Sequence, residues 1–169
     1  MCDDAIVIVD GARTPMGGLQ GALSPMTAPE LGTVAIKEAL ARANIDAGDI
    51  EEVIMGCVLQ AGTKQGPARQ AAINAGIPSS AGAVTINKLC GSGMQAVIYA
   101  HDQIKAGSCD IAIAGGMESM SNAPHVLPNA RGGVGTGDKT IHDHMFLDGL
   151  QDAYTGRAMG TFAQETADK

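Results

Sequence analysis

Ala83-Val84-Thr85-Ile86-Asn87-Lys88-Leu89-Cys90-Gly91-Ser92-Gly93 joins an apolar, β-branched run to a glycine-rich helix start, with one cysteine at the junction. The run has the length and composition of a buried strand, and the glycines open a helix that periodicity carries to about Ala106. A thiol at such a junction meets unpaired backbone N–H groups and the positive end of the helix dipole, which favour thiolate over thiol. Glycines at positions 91 and 93 leave the backbone open to a bulky acyl group. A buried core cysteine would also fit a strand end. The surrounding sequence decides between the two.

Outward from this junction, strands and helices alternate. Ala5-Ile6-Val7-Ile8-Val9 reads as a strand buried on both faces, and the Gly/Pro-rich stretch from Gly11 to Pro25 as a loop. Thr27-Ala28-Pro29-Glu30 has the form of a capping box, followed by helical spacing to about Asn44. Glu52 to Val58 is a second buried strand, and Pro67 to Ala75 a short alanine-rich helix. After the Cys90 unit, in which Met94, Val97, Ile98 and His101 share one side of the helix, Gly107 supplies a left-handed C-cap. Cys109 to Ala114 is the next buried strand, ended by Gly115-Gly116. This order is that of parallel α/β units.

Past Met117 the periodicity fades. Ser119 to Lys139 is rich in proline and glycine and reads as a long excursion from the sheet, with helical spacing returning from Met159 to Ala167. Residues 1–118 are therefore expected to form one core unit and residues 119–169 the beginning of another. The chain reaches Lys169 without a capping glycine and reads as ending before the protein does.

Composition narrows the function classes. Aromatics are only 2% of the chain, so the core must be built from Ala, Val, Ile, Leu and Met. A formal net charge of -7 argues against a general nucleic-acid or anionic-membrane surface. No run approaches the 18 or so apolar residues of a membrane span, and the N-terminal apolar run is too short for a signal peptide. Cys2, Cys57, Cys90 and Cys109 show no C-x-x-C pair, which fits free thiols in a reducing cytoplasm.

Other candidate sites are weaker. Gly91-Ser92-Gly93 lacks the glycine two residues before the serine that a nucleophile elbow requires. Gly132-Gly133-Val134-Gly135 has neither the strand before it nor the helix after it that a phosphate loop needs. His142-x-His144, with Asp143 and Asp148, falls short of a zinc ligand set and reads as a solvated loop. No metal is expected. Cys57 and Cys109 read as inert core thiols.

Val84 to Ala96, passing through Asn87-Lys88-Leu89-Cys90-Gly91-Ser92-Gly93-Met94, resembles the nucleophile segment of the thiolases, in their biosynthetic acetyl-CoA acetyltransferase branch. The likeness continues in Ala12-Arg13-Thr14-Pro15, Ala28-Pro29-Glu30-Leu31-Gly32, Val53-Ile54-Met55-Gly56 and Gly66-Pro67-Ala68-Arg69-Gln70-Ala71-Ala72. It extends through Ala114-Gly115-Gly116-Met117-Glu118-Ser119-Met120-Ser121 into Ala123-Pro124-His125. The same segment sets the chain apart from the ketoacyl synthases, which share the fold.

The resemblance implies the α/β thiolase fold. This chain would be the N-terminal βαβαβαββ half of a five-layer α/β/α/β/α core, with the start of an inserted loop domain. It implies Claisen condensation of two acetyl-CoA molecules to acetoacetyl-CoA, and the reverse thiolysis, through an acyl-cysteine at Cys90. The Cys90 N–H is expected to help form an oxyanion hole, and Leu150 and Met159 to line the pantetheine channel. Coenzyme A thioesters are substrates, so no cofactor is implied, and the assembly would be a homodimer or homotetramer. Two departures stand out. Ala158 precedes Met159-Gly160 where thiolases commonly have histidine, which bears on the polarity of the pantetheine channel. The family's Asn-Glu-Ala-Phe, Gly-His-Pro and Cys-x-Gly motifs, with its activating histidine and second cysteine, are not in this sequence. The alternative is a catalytically incomplete half that serves only in assembly.

Overall fold

The computed structural model describes residues 5–169, in two compact units that part after Asn122. Cys2 lies outside the described residues. In the first unit, α1 (Ala28–Ala43) is followed by β1 (Glu52–Gly56), α2 (Pro67–Asn74), β2 (Gly82–Ile86), α3 (Ser92–Lys105) and β3 (Ala112–Gly116). The three strands form one parallel sheet in the order β2-β1-β3. Glu52 pairs with Gly82 on one side and Ala112 on the other, so each βα unit advances the chain by thirty residues.

β1 is central, and its alternation sorts the core. Val53 and Met55 point into a cluster with Ala28, Ile36 and Leu40 of α1 and Ala68, Ala71 and Ala72 of α2. Ile54 points the other way, onto Ala96 and Ala100 of α3 with Ile86, Ala112 and Ala114 beside it. Two helices therefore cover one face of the sheet and one helix covers the other. The alanines on α2 and α3 let the helix axes sit close to the strands, which is how a core nearly without aromatics still packs.

The helix ends follow the local sequence. The Glu30 carboxylate accepts hydrogen bonds from the Thr27 backbone N–H and hydroxyl, both at 2.8 Å. Those bonds, the backbone one first, hold its acid below the usual carboxylate range. Asn44 ends α1 in the left-handed conformation at φ 53°, and Gly107 turns the chain after α3 at φ 73°. Thr85 of β2 accepts from the Ala68 N–H at 3.0 Å, tying the first turn of α2 to the sheet edge.

Two expectations are corrected. Residues 5–9 form no strand, and Val7, Ile8 and Val9 are exposed. β-Branched residues favour extended backbone, but a buried strand also needs an edge to pair with and a layer above it. The described sheet leaves the outer edges of β2 and β3 open, but residues 5–9 pair with neither and no layer covers Val7, Ile8 and Val9. Second, β2 is half-buried rather than fully buried, as befits a strand with one neighbour. Met94, Val97, Ile98 and His101 do share one side of α3, the open one, while Ser92, Ala96 and Ala100 face the sheet. The small residues are selected for close approach, and the larger ones project away.

The second unit, Ala123–Lys169, contains β4 (His125–Val126) paired antiparallel with β5 (His142–Asp143), one π-helical turn (Phe146–Leu150) and α4 (Met159–Ala167). Gly133, Gly135 and Gly137 between the two strands all have positive φ, in keeping with a glycine-built loop. Arg157 forms an ion pair with Glu165 and its guanidinium stacks 4.6 Å from the Phe162 ring, which braces the start of α4.

Candidate active site

The carboxyl ends of β1 and β3 and the amino end of α3 converge on three glycines. A Cβ placed on Gly56 would fall 2.6 Å from the Ser92 Cβ and 2.9 Å from the Gly93 nitrogen. A Cβ on Gly116 would lie 3.4 Å from the Gly93 Cα. The helix thus rests its first turn directly on strand backbone, and Cys90 is the second residue before that turn.

Cys90 is exposed, whereas Cys57 and Cys109 are buried, and all three thiols are free. Burial, with the Glu118 charge beside it, pushes the Cys57 thiol up to about 12. Burial also raises the Cys109 thiol, helped by Glu51, Glu52 and Asp110. Both therefore stay protonated at neutral pH. Among the described cysteines, Cys90 alone combines access with a place at a helix start.

The turn before it is tightly bonded. The Leu89 N–H donates to Asn87 Oδ1 at 2.9 Å, and the Gly91 N–H to the Lys88 carbonyl at 3.1 Å. The Ser92 hydroxyl accepts from the Lys88 N–H at 2.8 Å and donates to the Leu89 carbonyl at 2.6 Å. Lys88 Nζ reaches Gln95 Oε1, one turn into α3, at 2.6 Å. Leu89 is held at φ 49°, in the left-handed region.

A second set of contacts fixes the ends of the strands, and sequence reasoning missed it. The Glu118 carboxylate accepts from the Val58 N–H at 2.8 Å and the Leu59 N–H at 3.1 Å, with the Cys57 thiol 3.6 Å away. It joins the segment after β3 to the segment after β1 across sixty residues of chain. The one available signal was position: an acid two residues past the glycine pair that ends β3.

Leu150 and Met159 belong to the second unit and Cys90 to the first. Gln151 and Ala158 form an isolated antiparallel bridge, so Leu150 and Met159 flank the base of one loop. Leu150 is partly buried, and Met159, at the first position of α4, is exposed. His144 is buried and paired with Asp148, Nδ1 to Oδ2 at 2.6 Å, while His142 is exposed. Among the described residues no three His, Cys, Asp or Glu side chains group in a way that could hold a metal ion. No helix there is long and apolar enough to cross a membrane.

The arrangement can present one thiol, at a helix start, to an electrophile arriving over glycine backbone. Comparison with known proteins identifies the family. The family described as thiolase, N-terminal domain, matches residues 6–169. An acetyl-CoA acetyltransferase of Cupriavidus necator is 52% identical over 162 residues, covering 96% of this chain and 41% of its own length. One from Arabidopsis thaliana, acetyl-CoA acetyltransferase 2, is 49% identical over 164 residues, covering 97% and 41%. The crystal structure of the Acat5 thiolase from Ascaris suum, in complex with coenzyme A, superposes with a TM-score of 0.89. It shares 40% identity and covers 95% of this chain and 41% of that one. The chain thus spans about two-fifths of the length of the relatives it matches, over the region that carries Cys90. On the family match and these identities, the chain belongs to the thiolase family and has the fold of its N-terminal domain.

Proposed function

We propose that this chain supplies the acyl-accepting part of an acetyl-CoA C-acetyltransferase. The observation that carries the proposal is Cys90: an exposed thiol just before the amino end of α3, whose first turn packs against Gly56 and Gly116. The Cys90 thiolate attacks the thioester carbonyl of acetyl-CoA, or the keto carbon of acetoacetyl-CoA in the degradative direction. The tetrahedral oxyanion is met by backbone N–H groups at the helix start, that of Cys90 among them. Collapse expels coenzyme A as its thiolate in the first case and the acetyl-CoA carbanion in the second, leaving an acetyl thioester on sulfur.

The condensing half-reaction needs a base for the α-carbon of a second acetyl-CoA. Cys57 and Cys109 are buried and protonated, so neither serves. The base is assigned to a part of the protein outside these 169 residues, where the family carries its histidine and second cysteine. Residues 119–169 are assigned to the loop domain over coenzyme A, with Leu150 and Met159 against the pantetheine arm. A cytoplasmic homodimer or homotetramer without a resident cofactor completes the reading.

The test is acetyl transfer to the full-length protein. Labelled acetyl-CoA is mixed with it, the reaction is stopped in acid within one turnover, and the peptides are mapped. Thioester label on Cys90 is the expected result. Label on another residue, with Cys90 free, overturns the assignment.

A further inference from the structure

Between Lys88 and Ser92 the chain makes a turn whose centre, Leu89, sits at φ 49°. A leucine adopts that conformation only where its surroundings impose it. Backbone bonds from the Gly91 and Ser92 N–H groups to the Lys88 and Leu89 carbonyls, at 3.1 and 3.0 Å, close the turn, and one hydroxyl braces it from the helix. Ser92 Oγ accepts from the Lys88 N–H at 2.8 Å and donates to the Leu89 carbonyl at 2.6 Å, engaging the backbone on both sides of the turn. The side chain is 4% exposed, and its Cβ is the atom that a Cβ on Gly56 would strike. It is therefore anchored against the sheet as well as in the helix.

A serine near a helix start ordinarily acts as an N-cap, accepting from N–H groups further into the helix. Ser92 does not do this. Gly91 is the N-cap of α3, without a side-chain bond, and Ser92 at the first helical position reaches backward across the turn. Its bonds leave Cys90 on the short arc between their two ends. Asn87 also bonds within the turn, yet only to the Leu89 N–H, and it does not cross to the helix.

We propose that Ser92 is the positioning residue of Cys90. Its hydroxyl fixes the Lys88–Leu89 backbone against the first turn of α3 and so sets where the sulfur stands relative to the helix N–H groups. In this role Ser92 acts on the sulfur through the backbone of Lys88 and Leu89. The proposal rests on the reading of Cys90 as the acyl acceptor, and a displaced nucleophile costs rate rather than affinity.

The test uses the full-length protein with Ser92→Ala. Acetylation of Cys90 is followed by rapid quench over a range of acetyl-CoA concentrations, with circular dichroism and thermal unfolding on the same samples. The maximal rate is expected to fall about 30- to 100-fold, as for a misplacement on the order of 1 Å, with half-saturation changed less than about 2-fold. A maximal rate within about 2-fold of wild type overturns the proposal, as does a loss matched by an equal rise in half-saturation. If Ser92→Ala does not fold, Ser92→Thr decides, because it keeps the hydroxyl. A maximal rate within about 10-fold of wild type supports the proposal and a lower one overturns it. Failure of the parent reading shows separately, as wild type that takes no acetyl group on Cys90. In that event Cys90 alkylation by iodoacetamide tests Ser92 directly: a change of about 5-fold or more in Ser92→Ala supports it, and a smaller change overturns it.

Discussion

Gly56 and Ser92 are in such close contact that a Cβ on the glycine would lie 2.6 Å from the serine Cβ and 2.7 Å from its carbonyl carbon. The obstructing atoms are backbone and a buried β-carbon, not the end of a flexible side chain. Gly56→Ala must push α3 off the strand end, which costs about 1–3 kcal/mol as an overpacked site. Acetyl transfer to Cys90 is expected to fall further than stability does, because the displaced turn is the one that holds the thiol. Chemical denaturation and single-turnover acetylation of the same variant check both parts.

The free thiols separate by access. With iodoacetamide at pH 8 the native full-length protein is expected to label at Cys90 and to spare Cys57 and Cys109, while urea exposes all three. Mass spectrometry of the peptides reads this out, and labelling of Cys57 before Cys90 would contradict the burial. Cys57 also links stability to alkaline pH. Its folded value is raised from 9.0 to about 12, so its contribution is complete below 9 and is lost as pH rises toward 12. Thermal midpoints should decline over that window, less steeply in Cys57→Ala.

Cys90→Ser keeps the shape of the turn and removes the reactive atom. An alkoxide is far scarcer than a thiolate at neutral pH, and acetyl transfer is expected to drop by roughly three orders of magnitude or more. Unchanged circular dichroism with near-normal transfer would remove Cys90 from the chemistry.

Glu118→Ala takes the acceptor from the N–H groups of Val58 and Leu59 and opens the link between the ends of β1 and β3. Loss of about 1–3 kcal/mol is expected, the range for stranding partly buried donors of a charge-assisted bond. Glu118→Gln, which keeps one carbonyl oxygen, should lose less. Urea unfolding of the three proteins gives the order.

Local chemistry made much of this molecule legible. Thr27 with Glu30, Asn44 and Gly107 mark helix ends through contacts within a few residues, and the structure places α1 and α3 between them. The parallel order followed from strand and helix alternating with spacers too long for hairpins. The place of Cys90 before a helix start was legible for the same reason, since strand end, thiol and glycine-rich helix start are adjacent in sequence. Residues 5–9 misled because composition reports a preference for extended backbone, not whether the segment pairs with a sheet or is covered by a layer. The shared side of Met94, Val97, Ile98 and His101 was legible from helical spacing, but not that it faces away from the sheet, because the sheet admits only residues as small as Ala96. Glu118 was invisible because its partners, Cys57 to Leu59, lie about sixty residues away and no periodicity spans that gap.

The thirty-residue stride of the sheet has a consequence for synthesis. Glu52 has its partner at Gly82 on one side and at Ala112 on the other, and the strand made first is the one that ends in the middle. At about 5–20 residues per second, the ribosome delivers the first partner of β1 roughly 2–6 s after β1 itself, and the second after as long again. Through that interval Val53, Ile54 and Met55 have left the ribosome with both edges unsatisfied. The most deeply buried strand of the sheet is thus, for its first seconds, a nascent segment of the kind that chaperones bind, and its rescue is timed by translation speed across residues 57–116.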